Sequence, residues 1–374
     1  MKSRALRKLL RHRDPYDHQG TEHLFVEALK DNLMHHRQHS KEYGALLERA
    51  AFDHNTLTHI DAIARVPFVP TLYYKRHPLL SMPLKKMAIK ATSSGTSSGI
   101  KSRVGMSYKD LYRGFWMIWR LFRYHKLWSL RRVHYFIFGY EPTKKTEVVI
   151  MKSAHGFSKV APAASRTYAL RWDDTLGDFR VDLDALKHGL MKASKGRRPI
   201  RTIGFPAYTY QLLKQMQDEG IALTMPKGSL VTMGGGWKQF YTDAVEKEVL
   251  YQAVQDVLGI QEDHIIEFFG AVEHPVVYVD CRYHRFHVPI YARVIIRDVD
   301  TFEPLPYGAV GLVNLLSPLN EATPLASVMT DDLGRLHQDC PCGCKAPWLE
   351  ILGRVGVSDV VTCAQAADER GAQR

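Results

Sequence analysis

No stretch of this 374-residue chain approaches the run of about 18 apolar residues that a membrane span requires. The N-terminal MKSRALRKLLRHR is basic but lacks the apolar core of a secretory signal, so a cytoplasmic setting is expected. Cysteine is scarce, five residues with none before position 281, which excludes a disulfide scaffold. No internal repeat is visible, and that removes solenoids and propellers. Lysine and arginine form no compact run, and nucleic-acid binding is not expected. What remains, with 45% hydrophobic residues, is a globular chain long enough for a large core.

Charge is unevenly placed. Residues 1–145 hold 27 Lys/Arg against 11 Asp/Glu, a net +16, whereas residues 146–374 hold 24 against 28, a net −4. A basic half suits an anionic membrane surface, an acidic partner or a polyphosphate substrate.

Apolar spacing predicts amphipathic helices within residues 19–52 and an irregular, proline-bearing segment over residues 66–84. Ser107 with Asp110 reads as a capping box that opens a helix to about Trp128. Its aromatic stripe, Phe115, Trp116, Trp119 and Phe122, is expected to be a packed face. Strands are expected at Val133–Phe138, Thr202–Gly204, Leu230–Met233 and Ile265–Phe269. Helices are expected at Gln211–Glu219 and after Asp243 and Glu246, the latter with Val249, Leu250, Val254, Val257 and Leu258 inward. This alternation predicts an α/β fold with parallel pairing. After residue 275 the strands Val276–Asp280, Ile290–Val299 and Ala309–Leu316 have little helix between them, which suggests a small barrel-like or antiparallel part.

One loop stands out. Ser93, Ser94, Gly95, Thr96, Ser97, Ser98 and Gly99 place five hydroxyls and two glycines in seven residues, and Lys101 follows. Glycine turns amides toward a ligand at little cost, and amides with hydroxyls make an anion nest. The spacing is not that of a Walker A loop. A flexible Ser/Gly linker has the same composition, but the position between structured segments and the nearby lysine favour a nucleotide-phosphate loop. Three further glycine turns follow predicted strands: Gly204, the triplet Gly234, Gly235 and Gly236, and Gly270. In α/β sheets ligands gather at such carboxyl ends.

Four of the five cysteines frame a metal site. Cys281 and His287 lie six apart, and Cys340 and Cys342 belong to CPCGCK. One imidazole and three thiolates make a closed tetrahedral set for structural Zn²⁺, with Cys344 and His284 as rival ligands. A cluster of buried thiols without metal is the alternative. Cys363 stands apart in the tail VVTCAQAADERGAQR, where a thiolate would be a nucleophile toward an activated acyl group.

The ordered series of Ser/Thr/Gly loop with lysine, GGG turn, FFGAVEHP, TDDLGR and Gly353-Arg354 resembles the adenylate-forming superfamily. Within it the chain is most similar to the acyl-protein synthetase (LuxE) family and the phenylacetate–CoA ligase branch. The resemblance implies an adenylation core over residues 1–355, with a β-rich part at about 276–330 and a tail, 356–374, that carries Cys363. By resemblance, Ser93–Gly99 would wrap the phosphates of ATP, with Thr96 near Mg²⁺ and Lys101 adding charge. Gly234–Gly236 would let the backbone approach the base or acyl group. Phe268, Phe269 and Gly270 would bound the nucleotide, with Phe269 over the adenine. Glu273 would be the Mg²⁺ ligand, since Mg²⁺ prefers hard oxygen donors. Asp332 and Arg354 would lie at the ribose. The zinc site is also similar to one in the phenylacetate–CoA ligase branch.

The implied reaction is attack of a fatty or aryl carboxylate on ATP, giving acyl-adenylate, then a thioester on Cys363 for a partner reductase or carrier protein. An acyl-CoA or acyl-carrier-protein ligase is the alternative. A zinc protein without catalysis that binds nucleic acid through its basic half is the third reading, and oligomerisation is left open. The aromatic residues of Phe205–Tyr210 and Gly234–Trp237 are expected at the acid. Three departures from the family pattern are Ile100 for a proline, Val272 for a threonine, and Gly356-Val357 at a hinge aspartate's place. The family's C-terminal lid and its lysine are expected to be missing, so Lys101, Lys238 or a partner would substitute.

Overall fold

Ser3 accepts a hydrogen bond from the amide of Leu6 at 3.1 Å and so starts helix α1, Arg4–Arg11. Asp17 and Ser40 do the same for α2, His18–His39, and α3, Lys41–Arg49. Such caps replace lost backbone partners and contribute about 1 kcal/mol each. The computed structural model describes residues 3–77, 79–92, 103–143, 155–235 and 245–354. The chain divides into two units, Met1–Tyr124 with Gly270–Tyr278 and Arg285–Arg374, and His125–Phe269 with Val279–His284.

Within the proline-bearing segment expected to be irregular, β1 (Val69–Pro70) leads into a short helix, α4 (Thr71–Arg76). Pro70 is its N-cap, where a missing N–H costs nothing. Strands β2 (Ile89–Thr92) and β3 (Arg103–Met106) pair antiparallel and flank residues 93–102. Helix α5 covers Tyr108–Tyr124. Its start is the expected capping box, with Ser107 N to Asp110 Oδ2 at 2.8 Å and Asp110 N to Ser107 Oγ at 3.1 Å. The aromatic stripe is not the packed face expected of it: Phe122 is buried, but Phe115 is 56% exposed, with Trp116 and Trp119 half-buried.

The second unit opens with β4 (Val133–Tyr140), β5 (Ala163–Asp173) and β6 (Asp178–Val181). Then come α6 (Leu183–Ser194), β7 (Ile200–Gly204), α7 (Pro206–Asp218), β8 (Leu230–Gly234), α8 (Lys247–Leu258) and β9 (Ile265–Ala271). The strand order is β9–β8–β7–β4–β5–β6. All pairs are parallel except the antiparallel β5–β6 edge. Side chains alternate across β4: Phe136 and Phe138 join a core with Leu186, Leu190, Leu212, Met216 and Val254, while Tyr135 and Ile137 join Ala161 and Tyr168. Helix α7 starts five residues earlier than expected, because Pro206 sits in its first turn, where its fixed φ suits a helix. Val249 is 47% exposed rather than inward.

The chain re-enters the first unit through β10 (His274–Val279). The strands β11 (Phe286–His287), β12 (Arg293–Arg297), β13 (Gly311–Leu316), β14 (Ser327–His337) and β15 (Trp348–Arg354) follow. Their order is β11–β15–β14–β13–β12, all antiparallel. Strand β14 changes partner along its length. Val328 and Met329 pair in parallel with Val69 and Pro70, whereas Asp332–His337 pair with β15.

A buried charge cluster closes this unit. Arg113 of α5 donates to Asp110 at 3.0 Å and to Glu321 at 2.9 Å. Burial raises Asp110, although Arg113 and the amides of Ser107 and Glu321 oppose that rise. The adjoining loop holds the strand after residues 93–102, with Gly105 N donating to Thr323 Oγ1 at 2.9 Å.

Candidate active site

The carboxyl ends of four parallel strands in the second unit come level with one another. Phe138 is the register partner of Gly204, Gly204 of Met233, and Gly234 of Phe268. The glycines are there for close approach. Gly204 has φ +145°, and a Cβ on it would lie 2.2 Å from the Phe138 carbonyl oxygen. On Gly234 a Cβ would lie 3.0 Å from the carbonyl oxygen of Phe268. Gly235 has φ +86°, a conformation natural to glycine, so the chain turns sharply off β8.

Aromatic rings surround these ends. Phe157, which the sequence reading did not select, stacks on Phe268 with centroids 5.6 Å apart and planes 10° apart. Burial raises the Tyr208 hydroxyl, and the neighbouring Tyr140 raises it further. Phe268 and Phe269 are half-buried and Gly270 is exposed. Gly236, Trp237 and Lys238 lie outside the described residues, as do Ser93–Gly99, Lys101 and Cys363.

In the first unit the structure brings Asp332 and Arg354 together. They are cross-strand partners on β14 and β15, and Arg354 Nε donates to Asp332 Oδ1 at 2.9 Å. Asp332 is buried, and its amide donates to Thr330 Oγ1 at 3.2 Å. Its neighbour Asp331 accepts from Thr71 of α4 at 3.0 Å. That contact was invisible in sequence because 260 residues separate its ends.

Glu273 occupies the turn between β9 and β10 and is 7% exposed. Among the described residues no hydrogen bond or ion pair engages its carboxylate. Tyr74 lies within its field, and burial first, then Tyr43 and Glu273, hold the Tyr74 hydroxyl well above its ordinary range. A buried carboxylate without a protein cation suits a bound cation.

The cysteine motif is assembled as well. In the first unit the donor atoms of His287, Cys340 and Cys342 lie within 4.8 Å of one another. His287 Nδ1 faces the Ala346 carbonyl at 3.1 Å, and a carbonyl only accepts. Nδ1 therefore donates to that carbonyl, and Nε2 faces Cys342 Sγ, 3.2 Å away. The amide of Cys344 donates to Cys342 Sγ at 3.4 Å, as amides do to a thiolate. All four described cysteines are reduced.

Cys281 belongs to the segment Val279–His284 of the second unit, where its sulfur accepts from the Tyr283 amide at 3.4 Å. That segment is tied to β9: Asp280 Oδ1 accepts from the amide of Glu267 at 2.9 Å. Burial lifts Asp280 to about 6, although His284 Nδ1, 2.8 Å from Oδ2, opposes the rise. His284 is thus committed to a carboxylate, and Tyr251 donates to Glu267 beside it.

The profile of the acyl-protein synthetase family LuxE matches residues 3–371. The long-chain-fatty-acid–luciferin-component ligase of Aliivibrio fischeri is 22% identical over 311 residues, covering 82% of this chain and 78% of that protein. Its counterpart in Vibrio harveyi is 22% identical over 352 residues, covering 92% and 88%. Among solved structures, 2-hydroxyisobutyryl-CoA ligase in the postadenylation state with 2-HIB-AMP aligns at TM-score 0.66 and 14% identity, over 92% of this chain and 70% of that one. Its open conformation gives 0.67, over 93% and 72%. At such identity the likeness speaks to the fold alone, which is that of adenylate-forming ligases. The chain belongs to the acyl-protein synthetase (LuxE) family and is an ATP-dependent ligase.

Proposed function

We propose that the chain activates a long-chain fatty acid as its acyl-adenylate, loads the acyl group on Cys363 and delivers it to a partner protein. The observation that carries this reading is the family match over residues 3–371, which spans both the Ser/Thr/Gly loop and Cys363. A carboxylate oxygen attacks the α-phosphorus, an O–P bond forms, and pyrophosphate leaves with the electrons of the broken bond. The protein's part is alignment and charge neutralisation. Residues Ser93–Gly99 and Lys101 receive the β- and γ-phosphates, Asp332 and Arg354 hold the ribose, and Phe268, Phe269 and Gly270 bound the base with the Gly234–Gly236 turn. The Cys363 thiolate then attacks the acyl carbon, AMP leaves, and a thioester remains.

Glu273, with Thr96, is assigned to Mg²⁺, which supplies positive charge beside the phosphates. Support comes from the burial of Glu273 with no cation paired to it among the described residues. His287, Cys340 and Cys342 with Cys281 are assigned to Zn²⁺, which braces the fold. Support comes from the converging donor atoms of His287, Cys340 and Cys342 in the first unit, and from the Ala346 carbonyl that faces His287 Nδ1.

The test is acid-dependent ATP–pyrophosphate exchange, run beside covalent labelling by radioactive fatty acid plus ATP. Cys363→Ser should abolish labelling and leave exchange intact. Undiminished labelling in that variant removes Cys363 from the pathway. Release of acyl-CoA on addition of CoA, with Cys363 dispensable, replaces the protein acceptor by CoA.

A further inference from the structure

Helix α5 turns an aromatic ridge to solvent. At about 100° per residue, Tyr108, Tyr112, Phe115, Trp116, Trp119 and Arg123 fall within roughly a hundred-degree arc. Tyr108 is 77% exposed, Tyr112 61% and Phe115 56%, while Asp110, Met117 and Leu121 on the other side are buried. The rings form one patch: Tyr112 to Trp116 is 6.2 Å, Phe115 to Trp116 6.1 Å and Trp116 to Trp119 5.6 Å. A lone exposed ring needs no explanation, but a contiguous patch along several helical turns does.

Cations border the ridge. The guanidinium carbons of Arg120 and Arg123 lie 5.2 Å and 5.3 Å from the Trp119 ring. Arg120 also donates to the carbonyl of Arg11, at the end of α1, at 2.9 Å. Helix α1 is divided cleanly: Ala5, Leu6, Leu9 and Leu10 are buried, and every exposed side chain, Arg4, Arg7, Lys8 and Arg11, is cationic.

We propose that the α1–α5 face binds the surface of an anionic lipid bilayer. Tyrosine and tryptophan rings settle at the headgroup level with the apolar body inward and the polar tip wet. Arginine and lysine beside them meet lipid phosphates, at about 1 kcal/mol for each cation near the surface. A ridge on one helix bordered by cations suits a deformable medium, whereas a protein partner needs a matching groove. Among the described residues no helix is long and apolar enough to cross a membrane, so the face lies on the bilayer. The inference is independent of the reaction, because it concerns binding without acid or ATP.

The test is flotation of the full chain with phosphatidylcholine vesicles and with mixed phosphatidylcholine–phosphatidylglycerol vesicles. The bound fraction should rise with phosphatidylglycerol and fall with salt, and brominated lipids should quench tryptophan emission. Tyr112→Ser with Phe115→Ser should weaken partitioning about tenfold, since both side chains leave the interface. Arg4→Gln with Arg7→Gln should flatten the phosphatidylglycerol dependence. Both pairs are exposed, so an unchanged melting curve verifies the fold, and Leu176→Ser, exposed in the second unit, should bind as the parent does. Failure to float with anionic vesicles overturns the proposal. So does equal flotation of the aromatic variant, or retention on heparin or an acidic protein without flotation.

Discussion

Arg354 and Asp332 face each other across β14 and β15, with Nε donating to Oδ1 at 2.9 Å. Asp332 is buried and Arg354 half-buried, so the arginine holds the carboxylate's orientation while one side of the pair stays reachable. Arg354→Ala should raise the KM for ATP in pyrophosphate exchange about tenfold, the scale of one charge-assisted hydrogen bond. Arg354→Lys should recover only part of it, because the guanidinium's planar donors are lost. An unchanged KM for both variants would detach this pair from the nucleotide.

Gly204 should tolerate no side chain. Its φ of +145° and the 2.2 Å gap to the Phe138 carbonyl leave Gly204→Ala both strained and clashing. The expected cost is about 2 kcal/mol or more, read from urea denaturation. At Gly234 the gap is 3.0 Å, and alanine there should cost less.

Arg113 pairs with two buried carboxylates, Asp110 and Glu321, and Lys109 also lies 3.6 Å from Glu321. Arg113→Met should cost about 3 kcal/mol, because Asp110 and Glu321 lose the guanidinium that joins them while staying buried. Adding Asp110→Asn and Glu321→Gln should restore much of the loss, a comparison that denaturant melts can make.

His36 is fully buried between Ser81 Oγ at 2.7 Å and the Asn320 carbonyl at 3.1 Å. Burial, with His35 beside it, holds it down to about 3. The folded ring is therefore neutral where the unfolded ring takes a proton. Its contribution is complete above about pH 6.5 and declines as pH falls from there toward 3. His36→Gln should lower stability at neutral pH and flatten the acid limb of a stability–pH curve.

The assigned zinc set predicts one zinc per chain by elemental analysis. Cys342→Ser and His287→Ala should each reduce that content and lower the melting temperature by several degrees, since structural zinc contributes directly to folding. Cys344→Ser should retain the metal, because the converging donor atoms among the described residues do not include its sulfur.

What was legible in the sequence is local or ordered along the chain. The Ser107–Asp110 box needs only three residues, and both halves formed. The glycine turns after β7 and β8 were readable because close approach at strand ends leaves little else. The motif order singles out Asp332 and Arg354, and cross-strand register places them opposite each other. The failures have equally particular causes. Val249 lies about 120° from the centre of the buried arc of α8, which a list of apolar positions does not reveal. The α5 stripe looked like packing because aromatic content alone does not say which side of a helix a neighbour covers. Phe157 and Thr71 could not be selected, since each meets its partner over a long sequence separation.

Strand β14 binds β1 with its first residues and β15 with its last, and this sets an order of events during synthesis. Val69 leaves the ribosome some 260 residues before Val328, its register partner. Among the described residues β1 pairs with β14, which emerges only at the end of that interval. The span His125–Phe269 carries most of the second unit and its mostly parallel strands, and it is complete much sooner. Vectorial synthesis therefore favours the inserted unit as the first to mature. The segments that flank it converge only when β14 and β15 emerge, so Asp332 and Arg354 are among the last parts of the catalyst to take shape.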